Sequence, residues 1–594
     1  MPAKQISPVV LNTLGTAGLN TQAQESTLGP EFLTEATNVV FDYQGRITSR
    51  KGIKQVSKLV TATAKVNGAT SSTTTLVVDN NSGTILSGMT VTGTGISGTV
   101  TVSSLSDQNN LVLSTNQSLG NNVDLTFTLI SDVKSIGEFI KSDRTREYFA
   151  AMGSNIFKIG TSATPHTMTL QSFANSPQTI TQANWQFFNF NKEMWGVQTG
   201  LKPINYDGTN WSDVDDLGAY VAPSGVTTFD PSCAVAGFSR IWYGGITEAP
   251  GTVFYSDNLI GEKLNGGAAG SIDLNTVWGN DEIVGFATLE NKLVIFGKEN
   301  IVIYKKADDP SNIELDEIIR GVGLAGRDNI VYVNTDVVFM SYEGLRALSR
   351  TVANDGKSPI DDLSLMVRND LTRILSTVDV STIKSTYYAQ DGFVVTFIPI
   401  NNKCYVFDFA QSQRASNPRI TTWSFTDGPS CGLSTLDGKL FIGTKDSVAE
   451  YDGYYDVSIN ASDASTNASY DYIFQTSWLD LGSPAISKIV KSGIFTIVGG
   501  RGGQAQVAVY KDYDIGSPFT KTFNLVSAQT IFLYGKSDSL YGAAKYASTV
   551  GPTEYKIALA RTGKTIRLKM TNTVAGNYSS LVNTMLLTKQ GKIR

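Results

Sequence analysis

The chain has one histidine, His166, in the run Ala163-Thr164-Pro165-His166-Thr167, and three cysteines, Cys233, Cys404 and Cys431. A Ser-His-Asp hydrolase would have to use His166, and no Gly-x-Ser-x-Gly elbow lies near it. The residue reads as part of a surface turn. One histidine cannot supply a His-His metal site, and three cysteines without CxxC spacing give neither a zinc site nor a disulfide framework. Unpaired thiols of this kind point to a reducing compartment. Gly321-Val322-Gly323-Leu324-Ala325-Gly326 spells a dinucleotide fingerprint by letter. Behind it, Ile330 to Val333 reads as a strand, where a pyrophosphate would need a helix N-terminus. A β-turn is the expectation. With no P-loop, HExxH or EF-hand loop either, no catalytic residue, cofactor or metal is expected.

Glycoside hydrolysis is the remaining chemistry, because it needs only two carboxylates roughly 5 to 10 Å apart. Among 53 Asp and Glu residues no pair can be chosen from sequence. Tyr206-Asp207-Gly208-Thr209-Asn210-Trp211 looks somewhat like the Asp-box turn of sialidase-type propellers. It lacks the leading Ser-x-Asp and does not recur, so it reads as a blade turn, with Asp207 supporting a hairpin and Trp211 packing between blades.

The elements that would carry these residues are strands. Of the 594 residues, 41% are hydrophobic and only 17% charged, with 55 glycines and 10% aromatics, a β-rich, turn-rich composition. The net charge of −5 argues against a chain built to grip phosphate backbones. Met1-Pro2-Ala3-Lys4-Gln5 opens no signal-peptide pattern and no run of 18 apolar residues occurs, so no export or membrane address is expected. Residues 1–61 read as an arm and a hairpin, Val39 to Tyr43 against Ile47 to Ser49. Residues 62–132 are dominated by Thr, Ser, Gly, Asn and Val, with Phe127 their single aromatic. Short strands such as Leu76-Val77-Val78 and Leu111-Val112-Leu113 divide this stretch into a separate small β-sandwich or barrel.

From 133 to 455 hairpins recur, each an apolar strand, a Gly-containing turn and a second strand. Leu293 to Tyr304 is the clearest, with others at Tyr148–Ile159, Trp185–Tyr206, Ile241–Tyr255, Val337–Leu348, Phe393–Phe407 and Leu440–Tyr451. Radial repetition of this kind predicts a β-propeller. One external helix is predicted over 358–378: Ser358-Pro359-Ile360-Asp361 caps it, and Leu363, Val367, Leu371, Ile374, Leu375 and Val378 form its apolar stripe. Residues 456–594 read as a β-rich platform. It begins with a linker, Asn460 to Ser469, and continues with strands at Phe474–Gly482, Ile489–Val498, Gln506–Tyr510 and Ile566–Met570. No acidic residue follows Glu554, while Lys556, Arg561, Lys564, Arg567, Lys569, Lys589, Lys592 and Arg594 do. Such asymmetry suggests a complementary acidic partner or a phosphate-facing rim. The predicted class is all-β, a propeller with an inserted small β-sandwich module and a platform built from the chain termini.

The stretch Gly18-Leu19-Asn20-Thr21, followed further on by Ala36-Thr37-Asn38-Val39-Val40-Phe41-Asp42-Tyr43-Gln44-Gly45-Arg46-Ile47-Thr48-Ser49-Arg50-Lys51-Gly52, resembles the N-terminus of bacteriophage tail proteins. Arg240-Ile241-Trp242-Tyr243-Gly244-Gly245, Val253-Phe254-Tyr255-Ser256-Asp257, Asn291 to Tyr304 and Tyr342-Glu343-Gly344-Leu345 are similar to propeller strands of the tail nozzle, or tail tubular protein B, family of short-tailed (podovirus) phages. Lys51 stands where that family often has Pro, and the 62–132 module lies outside its pattern. The resemblance implies a virion structural protein and no enzyme. It would be a homohexameric ring below the tail adaptor that contacts tail fibre proteins, retains packaged double-stranded DNA and passes it on ejection. It would assemble in the host cytoplasm and reside in the virion tail, without membrane insertion. Arg46, Arg50, Lys51, Arg561, Arg567 and Lys569 are the candidate assembly-interface residues. A receptor- or glycan-binding propeller at the tail tip is the rival reading.

Overall fold

The computed structural model describes residues 6–42, 44–160, 165–175, 178–353, 362–410, 417–426, 428–460, 464–482, 484–500, 503–525 and 552–590. The propeller is set by strands whose side chains alternate between two faces. In Val133–Ile140 every second residue is buried, the signature of a strand pressed between neighbours on one face. Six more sheets follow it around a ring, with innermost strands Gln186–Phe190, Cys233–Gly237, Ile283–Leu289, Ile330–Val333, Lys384–Tyr388 and Cys431–Ser434. The innermost strand of the seventh lies against that of the first, which closes a seven-bladed circle. Each blade places its strands antiparallel in chain order, so all the innermost strands begin at the same face of the ring.

Closure is made by the other end of the chain. The outer strand of the seventh blade is Ile53–Gln55, paired antiparallel with Val448–Tyr451. The polypeptide then leaves for the inserted module before returning at Val133 to start the first blade. That module is a closed barrel of six strands and not the sandwich of the predicted class, because Asp124–Thr128 pairs with both Thr61–Val66 and Thr90–Gly93, and Thr90–Gly93 pairs in turn with Val100–Asp107, which closes the sheet on itself. Alternate residues Ala62, Ala64, Val66, Leu76, Val78, Val91, Leu111, Leu125 and Phe127 fill its interior. Small side chains suit the narrow bore of such a barrel. Its core runs on into that of the first and seventh blades through Val133, Tyr148, Phe441 and Val448.

Both chain ends build a β-sandwich. One sheet holds Val39–Phe41, Ile47–Ser49, Ser579–Gln590, Lys488–Gly499 and Thr553–Gly563, with Ser7–Val10 added on Ser579–Gln590. The other runs from Phe32–Thr37 through Tyr470–Thr476, Ile566–Val574 and Gln504–Lys511 to Asp514–Asn524. Phe32–Thr37 also pairs in parallel with Arg419–Trp423, the outer strand of the sixth blade, through Thr37 and Thr422. A single ten-stranded sheet therefore passes from propeller to platform.

Three local expectations change. The helix is shorter, Arg368–Thr377 after a single turn at Leu365–Val367, with Leu363, Val367, Leu371, Ile374 and Leu375 buried. Asp362 pairs with Arg346 as a β-bridge, and its carboxylate accepts from the Ser364 N–H and hydroxyl, so the chain is not helical there. The expected linker contains a strand, Ser465–Ala468, which pairs with Asp456–Ile459 and extends the seventh blade's sheet. The strand expected to reach Gly482 ends at Thr476, and Leu479 keeps only an isolated bridge to Ile566. Tyr43, Ala163, Thr164, Ser358 to Asp361, residues 461–463, Lys592 and Arg594 lie outside the described residues.

Candidate functional site

A polar cluster of the ring sits where the innermost strands begin. Lys384, first residue of the sixth blade, directs its ammonium to three acceptors: Asn184 Oδ1 at 2.6 Å, Asp328 Oδ2 at 3.2 Å and Ser135 Oγ at 3.3 Å. Arg327 sets its Nε 3.5 Å from the same Asp328 oxygen and donates from Nη1 to the main-chain oxygens of Ser232 at 2.7 Å and Val197 at 3.4 Å. Its Nη2 donates to the Asn184 main-chain oxygen. The side chains of Arg327, Asp328 and Lys384 are 10%, 14% and 10% exposed.

Local chain geometry brings these groups together. The Ser385 N–H donates to the Asp328 main-chain oxygen at 2.9 Å, and the Asn329 amide bonds Ile383 O and the Ser385 hydroxyl, each at 3.0 Å. The glycine run before Arg327 serves close backbone approach between blades. A Cβ at Gly323 would lie 2.0 Å from the Lys298 main-chain oxygen, and one at Gly326 2.8 Å from that of Val380. That contact, with Gly321 at positive φ, accounts for the fingerprint-like letters without a nucleotide.

In a seven-bladed ring the fifth and sixth blades stand across the axis from the first, second and third. Arg327 and Lys384 thus span the central channel and floor it at one face. Above them is a cavity of about 870 Å³ walled by Phe187, Phe188, Phe286, Thr386 and Leu433. Tyr332 and Leu436, also on its wall, are exposed. Burial pushes the Asp328 carboxyl upward, but the charges of Lys384 and Arg327 and their hydrogen bonds outweigh it and hold the group below the usual carboxylate range. Nothing in the sequence points to this cluster, because its members are up to 249 positions apart and meet only on ring closure.

The cysteines are buried, unpaired and chemically quiet. Burial pushes the Cys233 thiol up to about 12 and the Cys431 thiol up to about 11, and raises that of Cys404 as well. His166 is half-buried and not a free turn residue. Its N–H donates to Val56 O at 2.6 Å and its oxygen accepts from the Lys58 N–H at 2.7 Å, a bridge beside the barrel. No group of three metal-ligating side chains occurs among the described residues, and no helix among them is long and apolar enough to cross a membrane.

The candidate interface cations are largely engaged within the chain. Arg50 is fully buried and forms a two-pronged pair with Asp456, both bonds 3.0 Å, so it offers nothing to a partner. Arg567 is buried as well, 2.8 Å from Glu25 and over the Trp478 ring. Lys569 pairs with Glu35 at 2.7 Å, Arg46 with Asp42 at 3.0 Å, and Lys51 stands 3.9 Å from Asp391. Arg561 donates to Ser517 O at 2.8 Å. The C-terminal basic excess is thus partly answered by the platform's own acidic residues, which come from distant parts of the chain.

The Asp-box-like turn is structural. Asp207 Oδ1 accepts from the N–H groups of Thr209 at 2.7 Å and Asn210 at 2.8 Å, and Trp211 meets Phe149 of the first blade edge-on at 5.3 Å. Next to it, Glu147 receives Lys141 and Lys158, each at 2.6 Å, and the Tyr206 hydroxyl at 2.9 Å. Burial raises the Glu147 carboxyl, but these donors outweigh it and leave it below its ordinary value. A depressed carboxylate stabilises the fold above its unfolded-state pKa and loses that contribution as pH falls through the folded value. Thermal melts should therefore drop between about pH 5 and about pH 3. A Glu147→Gln variant should show a shallower drop; an unchanged slope would remove Glu147 from the acid sensitivity.

No protein-family model matches the chain, and neither does any curated protein. Solved structures do. The extracellular domain of a putative one-component system of B. thetaiotaomicron is similar at 10% identity, over 58% of this chain and 44% of that one, with a TM-score of 0.34. Streptogramin B lyase is similar at 11% identity over 54% and 93%, TM-score 0.34. The Neurospora crassa Pan2 WD40 domain is similar at 8% over 54% and 89%, TM-score 0.34. The chain is an all-β protein with a propeller at its centre, as the ring of seven sheets shows directly.

Proposed function

We propose that the chain is a virion structural protein and not an enzyme: one subunit of a tail nozzle ring below the tail adaptor of a short-tailed phage. The observation that carries this reading is the place of the tail-protein-like segment. Asn38 to Gly52 forms the joint between propeller and platform, with Arg50 at its centre. A propeller, a terminal sandwich and a shared sheet make one stiff block, as a ring subunit loaded by packaged DNA requires. The floored channel supports a conduit enclosed between copies, since Arg327 and Lys384 obstruct the axis of each propeller. A net charge of −5 suits passage of DNA without the counterion release that would hold it fast. In this reading the ring is a homohexamer, its further contacts are the adaptor and tail fibres, and it resides in the virion tail.

The barrel gives little support to the glycan-binding alternative. Its single aromatic, Phe127, is fully buried, so it has no exposed ring on which a sugar could stack. Mass photometry and negative-stain microscopy of the purified chain, alone and with adaptor, test the proposal. Hexameric rings are expected. Trimers, or retention of the isolated protein on a glycan array, would favour a receptor-binding propeller.

A further inference from the structure

We propose that Lys384 and Asn184 become joined by an intramolecular isopeptide bond, formed by the folded chain itself with Asp328 as proton carrier. Three groups are needed for such a bond: an amine, a carboxamide within its reach, and an acid-base group touching the amine. The channel floor supplies all three. Nζ of Lys384 lies 2.6 Å from Asn184 Oδ1, which places the amine on the amide carbonyl, and 3.2 Å from Asp328 Oδ2. Lys158, Lys263 and Lys569 differ in meeting carboxylates, Glu147, Asp257 and Glu35, and no side-chain amide.

The surroundings restrict the three groups to this encounter. Asp328 is pinned through its main-chain oxygen and through Asn329, so its carboxylate stays beside Lys384. Arg327 holds the Asn184 main chain from the far side of the channel. Ser135 takes the third N–H of the ammonium, leaving the amine no competing acceptor among these partners. Low exposure keeps water from the lysine and the aspartate, while Asn184 is half-buried and gives the leaving group a way out.

The reaction balances without an oxidant or a co-reactant. Asp328 takes a proton from the Lys384 ammonium. The freed lone pair attacks Cγ of Asn184, forming a C–N bond while the carbonyl π pair moves to Oδ1. Re-formation of the carbonyl breaks the Cγ–Nδ2 bond. Two of the three original ammonium protons end on Nδ2, one of them by way of Asp328, and the nitrogen departs as ammonium. Asp328 finishes as the carboxylate it was at the start. The product is a covalent strut across the axis, from the start of the sixth blade to the entrance of the second. It closes a loop spanning 200 positions, and tying so long a loop restricts the unfolded chain strongly.

Intact mass of the purified full chain under denaturing conditions tests this. The expected value is the sequence mass less one ammonia, with a branched peptide carrying both Lys384 and Asn184 after proteolysis. Lys384→Arg and Asp328→Asn should each restore the full sequence mass, the second while leaving both bonded partners in place. Asn184→Asp should lose one water instead of one ammonia. Wild-type protein at its full sequence mass would overturn the proposal however the variants fold. An ammonia-deficient chain without the branched peptide would overturn it too, because a succinimide closed on the Trp185 main-chain nitrogen has that mass.

Discussion

Replacing Arg50 by methionine is expected to lower the stability of the folded chain by about 3 to 5 kcal/mol, seen as a fall in the denaturant midpoint. The guanidinium is fully enclosed. Nε donates to Asn38 Oδ1 at 2.9 Å, Nη1 to Lys51 O at 2.7 Å and Asp456 Oδ1 at 3.0 Å, and Nη2 to Ser424 O at 2.8 Å and Asp456 Oδ2 at 3.0 Å. The rings of Phe425 and Tyr470 cover its two faces at 4.1 and 4.0 Å. Methionine fills the volume but leaves the Asp456 carboxylate, 4% exposed, without its countercharge in an apolar setting. The residues that lose partners come from the arm, the sixth-to-seventh blade connection and the tail of the seventh blade, so platform and propeller should loosen together. Arg50→Lys should recover little, because an ammonium can neither bridge both Asp456 oxygens nor lie flat between two rings. Arg46→Met is the matched control: its pair with Asp42 is about a quarter exposed and should change stability by less than about 1 kcal/mol. Equal effects for Arg50→Met and Arg46→Met would show that the enclosed pair is no joint.

Arg50 also marks where sequence reading stops. Its charge is visible in the run from Arg46 to Lys51, but its burial is not, because Asp456 and Tyr470 lie some four hundred positions away. Blade hairpins are legible for the opposite reason. In Leu293 to Tyr304 both strands and their turn are contiguous, and the pairing Leu293 with Tyr304 and Phe296 with Ile301 follows from the turn alone. The platform is less legible. Asp514–Asn524 is an edge strand with mostly exposed residues, so little apolar alternation is left to announce it. Ser465–Ala468 has a linker's composition and becomes a strand because Asp456–Ile459 offers it a free edge. The channel floor lies beyond local reading altogether. Asn184 and Asp328 stand in two different blade connections and Lys384 opens the sixth blade, and only the closed ring makes them neighbours.

Trp211→Ala is expected to cost about 3 to 5 kcal/mol, the range for truncating a buried aromatic side chain whose site cannot collapse. Trp211 has no exposed surface and sits among Phe149, Phe173, Phe187 and Tyr206, with ring centroids 5.1 to 6.2 Å away. Phe149 belongs to the first blade and Phe187 to the second, so the indole fills the seam between two rigid sheets. Neither can move inward without opening its seam with the next blade, and the cavity should persist. Trp211→Phe should recover part of the loss by keeping an edge-on contact with Phe149. Asp207→Ala gives the complementary result. Its carboxylate serves two N–H groups of an exposed turn, so its loss should cost about 1 kcal/mol and leave the seam intact. In a catalytic Asp-box the order of importance would be reversed, with Asp207 governing turnover of a glycoside and Trp211 merely shaping the pocket. Thermal unfolding of the three variants, with a hydrolysis assay on each, separates the cases: a large stability loss confined to Trp211→Ala marks the turn as a blade seam. Glycosidase activity that disappeared in a folded Asp207→Ala variant would overturn that assignment.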